Sequence, residues 1–108
     1  MLRLLVLCRH PYHLRWRDAD GWLRRELEAV LRRDGLDGAT LTKLESASSH
    51  SARSFDWLIE FRLDRELAST AMGRGGACEA LVADMRLLGL TPEVALADER
   101  ETVELRPS

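Results

Sequence analysis

The chain has 108 residues, 45% hydrophobic and 31% charged, with seven glycines and three prolines, which fits one globular domain over 1–108 and excludes a disordered polymer. Sixteen basic and eighteen acidic residues leave a net charge of −2, so no broad basic footprint exists and neither a nucleic-acid nor a membrane partner is expected. No apolar run approaches the roughly 20 residues of a membrane span, and Met1–Leu7 carries Arg3 with no small-residue cleavage site behind it, so a cytoplasmic location is expected.

Met1 to Arg9 is short, almost wholly apolar and stopped by His10-Pro11, which predicts a strand buried on both faces. From Asp18 or Asp20, either a plausible N-cap, Leu23, Leu27, Val30 and Leu31 recur at helical spacing until Asp34-Gly35, which predicts an amphipathic helix. Its outer face carries Arg24, Glu28 and Arg32 at four-residue steps, the ion-pair pattern of a solvated surface. Ala39 to Glu45 alternates weakly and is followed by a Ser, Ala and His run from Ser46 to Ser54, which reads as a strand and a long hairpin loop. In the next strand Phe55, Trp57, Ile59, Phe61 and Leu63 share one face, against Ser54, Asp56, Glu60 and Arg62, with Leu58 the apolar exception. After a weak stretch ending in Gly73-Arg74-Gly75-Gly76, the positions Cys78, Leu81, Val82, Met85 and Leu88 predict a second helix, closed by Gly89 and Pro92. Val94 to Ala97, with a further stretch through Thr102 to Leu105, supplies the last strand. Cys8 and Cys78 are too few for a disulfide framework or a four-cysteine zinc site and read as reduced core residues.

The order strand, helix, strand, strand, helix, strand predicts an α+β, ferredoxin-like βαββαβ sandwich, a four-stranded antiparallel sheet with two helices on one face. Strands one and three are central in that topology, and they are the most apolar two here. The other face, with Leu5, Leu7 and Leu58, must meet water or a second molecule, and a homodimer packed sheet on sheet would cover it.

This pattern resembles the dimeric α/β-barrel superfamily, the group of antibiotic-biosynthesis monooxygenases and EthD-like proteins. The resemblance rests on the element order, on Ser54-Phe55-Asp56-Trp57-Leu58-Ile59-Glu60-Phe61 as third strand, and on Leu87-Leu88-Gly89-Leu90-Thr91-Pro92 joining the last helix to the last strand. It implies a homodimer with a small-molecule pocket in each subunit between helices and sheet. Haem-degrading and quinone-oxidising members of the group place an Asn in that pocket, and this chain has no Asn, which speaks against both mechanisms.

The topology brings the end of strand one, with His10, Tyr12 and His13, to the same sheet end as the loop carrying His50 and Arg53. An imidazole there is suited to take a proton from a phenolic or enolic compound, so His10, His13 and His50 are the candidate acid-base groups, with Arg53 beside them to orient or neutralise an oxyanion. Tyr12, Trp16, Trp22, Phe55 and Trp57 are the candidate wall for a flat organic ligand, although a strand aromatic such as Phe55 is more often plain packing. A metal reading needs His10, His13 and one of Asp18, Asp20 or Asp56, and the sequence does not select among the three. No cofactor is expected. Gly73 to Gly76 offers backbone N–H groups before a helix but matches no phosphate-binding motif. The expected function is therefore binding of a small aromatic or polyketide-like molecule, with acid-base or oxygenase-type chemistry as one reading. The alternative is a non-catalytic regulatory or protein-interaction domain of the same topology.

Overall fold

Strict alternation governs β1 (Leu2–Cys8) in the computed structural model, which describes residues 2–34, 36–45 and 54–107. Leu2, Leu4, Val6 and Cys8 are buried beneath the helices, while Arg3, Leu5 and Leu7 are half-buried on the opposite face. That is a strand with one dry face and one partly covered face, rather than one buried on both sides.

Helix α1 (Trp16–Asp34) starts two residues before Asp18. Its first turn opens on the Arg15 carbonyl, which accepts the Ala19 N–H at 3.0 Å, so neither Asp18 nor Asp20 is the cap. Asp18 instead sits in the first turn, where it favours the helix dipole. Asp20 pairs with Arg24 at 2.8 Å, and Glu28 lies 4.0 Å from Arg32 on the outer face. Ala19, Leu23, Leu27 and Val30 form the buried stripe, and the helix packs on the later helix Ala77–Leu88 and on the strand Gly38–Lys43.

Strands β2 (Gly38–Lys43) and β3 (Trp57–Leu63) pair antiparallel, with Thr42 opposite Leu58 and Leu41 opposite Ile59. Strand β3 begins at Trp57, so Phe55 and Asp56 precede it and are half-buried. Phe55 is no core residue: its ring lies under the Arg9 guanidinium at 4.3 Å. Trp57, Ile59, Phe61 and Leu63 carry the core face.

The weak stretch after β3 is a third helix, α2 (Arg65–Met72), which the sequence pattern did not predict. Asp64 caps it by accepting the Leu67 N–H at 2.7 Å, and it buries only Ala68 and Ala71. Gly76 makes the tight passage into α3 (Ala77–Leu88), because a Cβ there would collide with the Thr70 and Ala71 carbonyls. Cys78, Leu81, Val82 and Met85 are the buried stripe of α3. Gly89 closes that helix in the left-handed region, at φ 89°.

Strand β4 (Glu93–Asp98) ends in a 3₁₀ turn at Glu99–Glu101, and the predicted extension through Thr102 to Leu105 is not strand. Asp98 stops it: the carboxylate accepts the Arg100 backbone N–H at 2.9 Å and pairs with the Arg100 and Arg65 guanidiniums at 2.9 Å. The Arg100 side chain and backbone N–H lead in holding that carboxyl down at about 2. The sheet order is β2-β3-β1-β4, with every neighbour antiparallel. This is the expected ferredoxin-like α+β sheet with β1 and β3 central, covered on one face by three helices rather than two.

Candidate functional site

Chain geometry at the end of β1 builds the site. Pairing with β3 continues past the strand, since the Asp56 N–H donates to the Cys8 carbonyl at 2.9 Å. The Asp56 carboxylate then curls back and accepts the His10 N–H through Oδ2 at 2.6 Å. On the other side the Arg9 N–H donates to the Leu90 carbonyl at 2.8 Å. Pro11 lacks a donor and turns the chain away from the sheet.

His10 thereby lands against the first turn of α1. Its imidazole lies parallel to the Trp16 indole, 4.2 Å between centroids and 4° between planes. Trp57 lies below both, tilted, 5.0 Å from Trp16 and 5.9 Å from His10. The Lys43 ammonium, from the only lysine of the chain, stands 4.9 Å from the Trp16 centroid. Two polar atoms of this cluster, His10 Nδ1 and Trp57 Nε1, are buried with no hydrogen-bond partner among the described residues.

Beside the stack opens a cleft of about 700 Å³, lined by Arg9, His10, Pro11, Tyr12, His13, Trp16, Ser54, Asp56, Gly89 and Thr91. Its size falls in the range of small-ligand sites. The rim holds a backbone oddity: Thr91 has φ 42°, in the left-handed region that a β-branched residue seldom occupies. Cys8, directly under the site, has a thiol pushed up to about 12 by burial, with the Asp56 charge adding to it, so it is a packing residue rather than a nucleophile.

Of the residues singled out from sequence, His10, Tyr12, His13 and Trp16 meet around this one cleft. Trp57 supports it from beneath, at 1% exposure. Trp22 is elsewhere, half-buried against the core farther along α1. His50 and Arg53 lie outside the described residues. Sequence reasoning placed Asp56 on a polar strand face and among three carboxylates for a metal, and passed over Arg9, Ser54, Gly89 and Thr91 as site residues, which come to the cleft from the ends of three strands and a helix. The one local signal for them was Gly89 followed by Thr91-Pro92, a helix stop that also has to return the chain to the sheet.

Among the described residues no three His, Cys, Asp or Glu side chains converge as a metal site, so His10 and His13 do not assemble a set with Asp18, Asp20 or Asp56. The glycine-rich turn lies away from the cleft, near the end of α1, where the Arg33 guanidinium donates to the Gly75 carbonyl at 2.7 Å. The Gly75 N–H is taken by Glu79 at 2.9 Å, so an internal carboxylate already holds the donor an anion would use.

No helix among the described residues is long and apolar enough to cross a membrane. The sequence matches no protein-family model and no curated protein. Solved structures do resemble it. An EthD family protein from Bacillus halodurans superposes with a TM-score of 0.66 at 19% identity, covering 92% of this chain and 98% of that one. An antibiotic-biosynthesis-monooxygenase-like protein from Deinococcus radiodurans gives 0.60 at 14% identity, covering 99% and 100%. A dimeric protein of unknown function and ferredoxin-like fold from Bacteroides fragilis gives 0.58 at 7% identity, covering 90% and 94%. The expected resemblance is thus found in three dimensions, and at these identities it establishes that the chain shares the ferredoxin-like fold of EthD and monooxygenase-like proteins.

Proposed function

We propose that this chain binds a flat aromatic or polyketide-like molecule in the cleft at the end of β1, as one half of a homodimeric α/β barrel. The parallel stack of His10 on Trp16 at the cleft carries this reading. A stacked indole and imidazole offer a rigid planar wall, and planar ligands gain most from such a wall because little conformational freedom is lost on either side. His10 and His13 put exchangeable protons at that wall, and Asp56 adds a carboxylate, so acid-base chemistry on a phenolic or enolic compound fits the lining. The three half-buried leucines of the open sheet face, Leu5, Leu7 and Leu58, support the homodimer, and the Bacteroides fragilis protein of this fold is dimeric.

Titration with 2-naphthol, followed by quenching of tryptophan fluorescence, tests the pocket. Trp16→Ala removes a wall worth about 1 kcal/mol of stacking and should weaken binding roughly five- to tenfold. Equal affinity in the variant and the parent would rule out the stack as the binding wall.

A further inference from the structure

We infer that neutral His10 carries its proton on Nε2 and presents it to the cleft as a hydrogen-bond donor, so that the ligand atom it meets is an acceptor oxygen. The inference rests on the ligand reading above and goes further by assigning what His10 does and what the ligand must offer it. A neutral imidazole has one N–H and one lone pair, and the neighbours of each nitrogen decide which is which.

Nδ1 of His10 is buried and has no partner among the described residues. Asp56 is at hand, but its carboxylate is engaged by the His10 backbone N–H at 2.6 Å rather than by the ring. A proton on Nδ1 would therefore be an orphaned buried donor, which folded proteins avoid more strictly than an under-used acceptor. The indole Nε1 of Trp57, which can only donate, is already one buried donor without a partner among the described residues in this cluster, and a proton on Nδ1 would add a second. Nδ1 keeps the lone pair, and Nε2 keeps the hydrogen.

Packing aims the donor, because the 4° stack on Trp16 fixes the imidazole plane. A donor held by packing rather than by a hydrogen bond stays free for the ligand. The complementary atom is a carbonyl, phenolic or enolic oxygen on a flat ring system. Proton removal from such a ligand then falls to His13, which is exposed on the same cleft.

Long-range ¹H–¹⁵N correlation spectra of the labelled full chain at about pH 8, above the ordinary imidazole range, read the proton's position without any ligand. The His10 signals, identified by their loss in His10→Phe, should show a pyridine-type Nδ1 and a pyrrole-type Nε2. The reverse pattern overturns the assignment. Coumarin and naphthalene then serve as flat bicyclic probes of similar size, of which only coumarin has a carbonyl. Coumarin should bind about tenfold more tightly, the worth of one good hydrogen bond, and His10→Phe should abolish the difference between the two probes. Equal binding of both probes to the parent chain overturns the donor role yet leaves the flat-ligand reading standing. Binding of neither overturns the flat-ligand reading, and the nitrogen pattern alone then decides the proton's place.

Discussion

Gly89 shows how much of the site depends on single atoms. Its φ of 89° lies in the left-handed region, and a Cβ added there would sit 3.4 Å from both His13 Cε1 and Pro11 Cβ. The backbone conformation is thus what asks for glycine at the end of α3, with the His13 loop in contact over the helix end. Gly89→Ala should cost about 1 kcal/mol from the backbone conformation alone, which for a domain of this size lowers the melting temperature by about 4 °C or more. A thermal melt that matches the parent would show that the helix end relaxes freely. Gly89 was legible from the sequence as a stop signal, but its place at the cleft was not, since nothing local says that residues 11 and 13 return to it. The contiguous half of the lining, His10 to Trp16, was readable because it lies within one loop and one helical turn. Thr91 was not, because it reaches the cleft through a strained turn that leaves no periodic trace, and Asp56 was named only as one of three carboxylates, because its place beside His10 comes from strand pairing.

At the scale of elements, pattern and structure part where the buried side chains are small. The two most apolar strand segments, β1 and β3, are the central strands, and the apolar periods of α1 and α3 are the longer helices. Helix α2 escaped notice because it is eight residues long and buries only two alanines, so no run of large apolar residues marks it. What specifies it is the capping residue. Asp64 satisfies the Leu67 N–H at 2.7 Å, and Glu66 adds negative charge in the first turn. Asp64→Ala should destabilise the domain by about 1 kcal/mol, and Asp64→Ser should restore most of it. Hydrogen exchange of the Leu67 and Ala68 amides reports the same event locally, with faster exchange expected in the alanine variant. Unchanged exchange there would mean that packing against α3 and β1, not the cap, holds the helix. The lost extension of the last strand has a similar origin: Val103 and Leu105 suggest β structure by propensity, but Asp98 turns the chain through its bond to the Arg100 N–H before they are reached, leaving both exposed.

For the whole molecule, the decisive feature is the open face of the sheet. Strand register places Leu7 beside Leu58 on one side and Glu93 on the other, and Leu5 between Glu60 and Ala95. The face therefore divides into an apolar half near the cleft and a charged half around Arg3, whose guanidinium stands 3.7 Å from Glu60 and 3.8 Å from Glu99. Arg3 thus has its carboxylates within the chain, and the leucines are what association would cover. A two-fold packing sets the apolar half against its own copy, as an isologous interface requires. Leu7→Lys tests this without threatening the fold, because the new ammonium lies across from Glu93 and forms an opposite-charge cross-strand pair. In a dimer the same ammonium would be buried against leucine, at a cost of several kcal/mol. Sedimentation equilibrium should therefore give a dimer for the parent chain and a folded monomer for Leu7→Lys, with an unchanged far-ultraviolet spectrum. A monomeric parent rules the interface out at once. A Leu7→Lys chain that stays dimeric moves the interface away from this face, towards the exposed β4 edge where Val94 and Leu96 stand uncovered.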